Sequence, residues 1–260
     1  MSDFDPNTAR LGQGVQAGRA ADIDQGLRSY MLGVYNNMVI GLAITGLVAY
    51  GANMLATTTN TSQAVARFGQ VYLTSFGEAI YLSPLRWLVI FAPLLLVFGI
   101  SFGFNRMAAT TARALFFVFS AAMGLSLSTL VLVYTGESIA RAFFITAAAF
   151  GALSLYGYTT PRSLSAMGSF LIMGLFGLII AMLVNLFVHS SGLQFALSIL
   201  AVLIFSGLTA YDTQSIKEMY FASDDYEVAT KKSVNGALRL YLDFINIFMA
   251  LLQLTGTRND

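Results

Sequence analysis

The chain has 260 residues, of which 57% are hydrophobic and only 10% charged, with a formal net charge of +1. Soluble domains carry about 25% charged residues, so this composition describes a polytopic membrane protein, and the near-zero net charge gives no field to attract nucleic acid. With no cysteine and a single histidine, disulfides, iron–sulfur clusters, thiolate zinc and His-rich metal sites are excluded.

Residues 1–29 are polar and rich in Gly, Asp, Gln and Arg. No apolar core follows a basic start, so the stretch does not read as a signal peptide. It is expected to be a mobile tail, leaving residues 30–260 as one transmembrane domain.

Apolar runs then recur, and they predict helices near 30–55, 85–104, 112–135, 139–158, 165–189, 194–219 and 234–255. A span takes about 20 residues. The seventh is the least clear-cut, because Arg239 and Asp243 interrupt its first half, and both a full span and a re-entrant segment fit. With the N-terminus inside, Arg10, Arg19, Arg28, Arg106, Arg113, Arg162, Lys217, Lys231, Lys232 and Arg239 fall on inner segments, against Arg67, Arg86, Arg141 and Arg258 outside. This excess of inner cations favours a cytoplasmic N-terminus. The longest outer loop is 56–84, and the charged loop 220–233 is inner.

Small residues in the fourth and fifth spans (Ala147 to Ala149 and Gly151; Gly168, Gly174 and Gly177) suggest close helix packing. Ser120, Ser126, Ser128 and Thr129 in the third span are placed to bond back to their own backbone. His189 reads as an interfacial residue. Asn185, a turn deeper, reads as a bond to a neighbouring helix.

Asp212 in AYDTQSIKEMY and Asp243 in LRLYLDFINIF stand out. An acid at the centre of a membrane helix costs about 2.5–3.5 kcal/mol on insertion scales, so it requires a partner, a wet cavity or a function. One short polar loop joins the two segments, which puts both acids in the inner half of the membrane. Arg106, at the inner end of the second span, is at a comparable depth. Two carboxylates about 4 Å apart at an effective dielectric near 20 repel by about 4 kcal/mol. Such a pair shares a proton and titrates as a unit, and an arginine beside it favours the ionised form. The three residues therefore read as a pH-sensitive latch. Tyr211-Asp212 matches the first motif of presenilin-like aspartyl proteases. Their second aspartate follows Gly-x-Gly, whereas Asp243 follows Leu240-Tyr241-Leu242, so no enzyme is expected.

The stretches VIGLAITGLVAY (39–50), SLYGYTTPRSLSAMGSFLIMGLFGLIIAMLVN (154–185), GLTAYDTQSIK (207–217) and ALRLYLDFINIF (237–248) resemble the bacterial branch of the Bax inhibitor-1 family. The resemblance covers essentially everything beyond the tail. It implies an all-α membrane protein of seven transmembrane helices, with the last central and wrapped by the other six, in a bacterial inner membrane with its N-terminus cytoplasmic. It also implies a pH-sensitive calcium leak channel. Asp212 and Asp243 would then be both the gate and the contacts for a permeating Ca2+, with Arg106 as latch and no resident cofactor. Carboxylate oxygens are the hard ligands calcium prefers. The other role the family suggests is a non-conducting regulator that binds a membrane-anchored protease.

Overall fold

The computed structural model describes residues 6–103 and 106–259, with side chains from Gln25 onward. Eight helices appear among them. They are α1 (Pro6–Ala56), α2 (Ser75–Tyr81), α3 (Leu85–Gly103), α4 (Ala109–Val133), α5 (Gly136–Thr159), α6 (Ser165–Val188), α7 (Ser191–Glu218) and α8 (Tyr226–Thr255). All except α2 are long and apolar enough to cross a membrane. Of the stretch expected as a tail, residues 1–5 lie outside the described residues, and Pro6 onward belongs to α1. Phe104, where the second span was expected to end, is also outside them.

The chain marks its own helix starts. Thr135, Ser190 and Asp225 each accept a bond from a backbone N–H three residues on, and so cap α5, α7 and α8. Such caps satisfy amides that have no partner within the helix. α6 ends on His189, which adopts the left-handed conformation with φ 53° and is exposed.

α8 is the most buried of the seven spans. At about 1.5 Å per residue its 30 residues reach about 45 Å, so it crosses fully and does not re-enter. α1, α4, α5 and α7 pack on it directly. The other two spans sit further out, α3 against α4 and α6 chiefly against α7.

Tyr241, fully buried on α8, anchors the centre. Its ring meets Phe116 and Phe119 of α4 edge-on, and its hydroxyl is 2.6 Å from Thr45 Oγ1 of α1. Beside it α4 approaches α1 so closely that a Cβ on Gly124 would stand 2.5 Å from the Thr45 carbonyl.

The 56–84 loop is not structureless. Strands β1 (Thr57–Thr58), β2 (Ala66–Phe68) and β3 (Val71–Leu73) form a small antiparallel sheet in the order β1-β3-β2, followed by α2. The two-residue turn between β2 and β3 uses Gly69 at φ 58°, as tight hairpins favour. At the same end of the molecule, Tyr134 bridges Arg258 and the Asn259 side chain donates to the carbonyls of Leu132 and Tyr134. The C-terminus is thereby docked on the turn from α4 to α5.

Candidate functional site

α7 and α8 run antiparallel and pack along their length, which brings two of the three expected residues together. Asp212 lies six residues before the end of α7 and is only 8% exposed. Asp243, on α8, is 4% exposed. Arg239 is four residues before Asp243 and so projects from the same face of α8. Its guanidinium donates to Asp212 Oδ1 and also reaches Ser215 Oγ at 3.4 Å. The charged groups whose fields act on Asp243 are Asp212 and Arg239. Asp243 Oδ2 is buried with no hydrogen-bond partner.

Arg106 is not part of this cluster. It is exposed, in the turn that follows α3, and makes no ion pair among the described residues. The reason is lateral: α3 packs on α4 and α2, one layer away from α7 and α8. The cation on Asp212 comes instead from α8 itself. The signal was in the sequence, since Arg239 and Asp243 are spaced i, i+4 in a segment otherwise apolar.

The end of α7 is fastened to α5 and to the turn after it. Thr213 Oγ1 is 3.0 Å from Ser154 Oγ, which is in turn 2.6 Å from the Tyr35 hydroxyl of α1. The Gln214 side chain accepts from the Leu164 N–H at 2.7 Å and donates to the Arg162 carbonyl at 2.9 Å. Lys217 Nζ donates to the Tyr158 carbonyl at 2.8 Å and sits over the Tyr158 ring. A Cβ on Gly157 would stand 2.1 Å from the Ala210 carbonyl. The stretches SLYGYTTPR and GLTAYDTQSIK are thus two halves of one contact, which holds Asp212 in place.

The remaining candidates are structural. Asn185 donates to Gln194 at 3.1 Å and accepts from the Ser190 N–H. Gln194 passes the connection to Gln253 of α8 at 2.8 Å. Ser120, Ser128 and Thr129 bond back to their own helix. Gly168 packs against the Tyr211 ring, whereas a Cβ on Gly151 or Gly177 would meet open space, so those two glycines are not packing contacts.

Chemically, the cluster has two carboxyl groups for one guanidinium. With both acids ionised it carries a surplus negative charge in a dry place, and the unsatisfied Oδ2 gives that charge a direction. A proton, a water or a cation would satisfy it. A resident calcium takes six to eight oxygen ligands, and no group of three or more His, Cys, Asp or Glu gathers among the described residues.

Residues 27–260 match the family model described as "Inhibitor of apoptosis-promoting Bax1". The chain belongs to the Bax inhibitor-1 family. Among its curated relatives, the Bax inhibitor-1 family chain is 42% identical to the inner membrane protein YbhL of Escherichia coli, covering 90% of this chain and 93% of that one. An uncharacterized protein of Caulobacter vibrioides is 42% identical over the full length of both chains. An uncharacterized protein of Rickettsia prowazekii is 47% identical over 91% of this chain and 93% of its own. As a Bax inhibitor-1 family member with seven apolar spanning helices, the chain is a multi-pass membrane protein.

Proposed function

We propose that this protein is a pH-sensitive cation leak of the bacterial inner membrane, passing calcium, with Asp212 and Asp243 on the ion's route and Arg239 as the latch. The observation that carries this reading is the unpartnered Asp243 Oδ2, buried beside an aspartate that is already engaged by an arginine. Leaving a buried acceptor unsatisfied costs about 1–3 kcal/mol or more, and a passing cation or a proton relieves that cost. A proteolytic aspartate pair shares one proton between two adjacent carboxyls. Here one carboxyl faces a guanidinium, an arrangement better suited to gating than to hydrolysis.

The latch works through charge. Arg239 binds the ionised Asp212 across the α7–α8 contact, by a charge-assisted bond of the stronger kind. Acid puts a proton on Asp212, removes its charge and weakens the bond, so α7 is freed to shift against α8. Acid also removes a calcium ligand, so flux peaks at an intermediate pH. The N-terminus is cytoplasmic in this reading, which puts the latch nearer the cytoplasmic side.

The test is calcium flux from the purified protein in liposomes, between about pH 5 and about pH 8, where coupled carboxylates can be brought to titrate. Wild type passes calcium with a pH-dependent rate. Arg239→Ala passes more calcium and responds less to pH. Unchanged flux after both aspartates are replaced by Asn overturns the route. No wild-type flux at any pH overturns the channel and favours the regulator that binds a membrane-anchored protease.

A further inference from the structure

A gap opens in the bundle between α1 and α5. α1 and α5 both pack on α8, but between themselves they are bridged by the Tyr35 to Ser154 hydrogen bond, 2.6 Å long. A groove runs along this seam as three overlapping hollows of about 570, 670 and 440 Å³. Phe244 of α8 forms part of its floor.

The groove changes character along its length. One end holds the polar side chains of Arg28, Tyr35, Ser154 and Tyr158 among the apolar walls of Met31 and Leu155, with Lys217 Nζ 5.0 Å from the Tyr158 ring centre. Among the described residues no acid lines it there. Beyond Tyr35 the walls are apolar, as at Val39, Leu42, Phe143 and Phe150. A hollow with such walls does not hold water, and left empty it forfeits dispersion contacts. An α-helix is about 10–12 Å across with its side chains, too wide to lie between walls that come close enough for the 2.6 Å Tyr35–Ser154 hydrogen bond.

From Arg28 to Leu42 is 14 residues of α1, or about 21 Å at 1.5 Å per residue. That is half of a bilayer about 40–45 Å thick including headgroups. The third hollow carries the trough on to Tyr50, about 33 Å from Arg28, so a cation at one end opens on an apolar trough long enough for the acyl chain of a single phospholipid. We propose that the α1–α5 groove is a binding site for one anionic phospholipid, its phosphate against Arg28 and an acyl chain lying along the seam past Leu42 toward Gly46.

Two glycines make the test clean. A Cβ added at Gly46 or at Gly151 meets nothing within 4 Å, and both residues line the groove. A side chain started there has room for its Cβ and is aimed at filling the trough. The full chain is purified in detergent, titrated with phosphatidylglycerol or phosphatidylcholine, and its bound lipid counted by native mass spectrometry, with thermal melting as the check on folding.

Wild type is expected to hold one phosphatidylglycerol in preference to phosphatidylcholine. Gly151→Phe is expected to weaken that binding about tenfold by displacing apolar contact, and Gly46→Phe to act in the same direction. Gly177→Phe, on α6 and outside the groove, is expected to leave binding unchanged. Arg28→Ala is expected to erase the headgroup preference. Retention of phosphatidylglycerol at wild-type affinity in a folded Gly151→Phe protein, or a wild type without preference between the lipids, overturns the site. So does a second copy of the chain held in place of the lipid.

Discussion

Arg239 stands four residues before Asp243 on α8, yet its guanidinium bonds Asp212 on the neighbouring helix and leaves Asp243 Oδ2 without a hydrogen-bond partner. The two acids are therefore not equivalent. Asp212 is held, and Asp243 is buried and available.

Removing Arg239 strands a buried carboxylate. Breaking a buried pair from one side costs about 3–5 kcal/mol, and Arg239→Ala is expected toward the lower end because the arginine side chain is 32% exposed. Adding Asp212→Asn to that variant is expected to restore most of the loss, since no unpaired charge is left. Thermal unfolding of both single variants and the double variant forms the cycle that checks the coupling. Arg239→Lys is expected to restore little, because an ammonium lacks the planar fork. Arg106→Ala, at an exposed position, is expected to stay within about 0.5 kcal/mol of wild type.

Asp243→Asn is expected to separate stability from transport. The substitution removes a charge with no hydrogen-bonded partner at Oδ2, so the melting temperature holds or rises. Calcium flux in liposomes is expected to fall sharply in the same variant. A loss of both together would mean that Asp243 supports the fold and not the route.

The seam between α5 and α7 tolerates no side chain at Gly157, where a Cβ would lie 2.1 Å from the Ala210 backbone. Gly157→Leu is expected to prevent stable folding, whereas Gly177→Leu, facing open space, is expected to melt near wild type. Size-exclusion profiles and melting of the two proteins decide it.

Tyr241→Phe removes one hydroxyl but leaves Thr45 bonded to the Gly41 and Ser120 carbonyls. The expected cost is about 1 kcal/mol. Tyr241→Ala, which also empties the space between Phe116 and Phe119, is expected to cost about 3–5 kcal/mol.

A reporter active only in the cytoplasm is expected to be active when inserted between Ala222 and Ser223, exposed in the turn between α7 and α8, and silent when inserted near Ser62. The opposite pattern would invert the orientation.

The seven spans were legible because lipid demands about 20 apolar residues for each crossing, and the apolar runs obey that demand. The span that looked weakest turned out to be the centre. Arg239 and Asp243 make α8 look poorly suited to lipid, but α8 faces mostly protein, where polar side chains find partners. Depth along the membrane could be counted from the sequence, which put Asp212 and Asp243 at compatible levels. Which helices are neighbours could not, and Arg106 was misplaced for that reason. The sheet at residues 57–73 was hidden because strands of two or three residues carry no readable alternation.

One pairing limits how any such gate moves. Glu227, in the first turn of α8, accepts from the Ala109 N–H at the start of α4 at 3.0 Å. Asn259, just past the end of α8, donates to the Leu132 and Tyr134 carbonyls where α4 finishes. The same two helices are thus pinned together at both ends, like the rails of a ladder held by its first and last rungs. A piston stroke of α8 along its axis would have to break both pins at once. A swing of α7 away from it breaks neither.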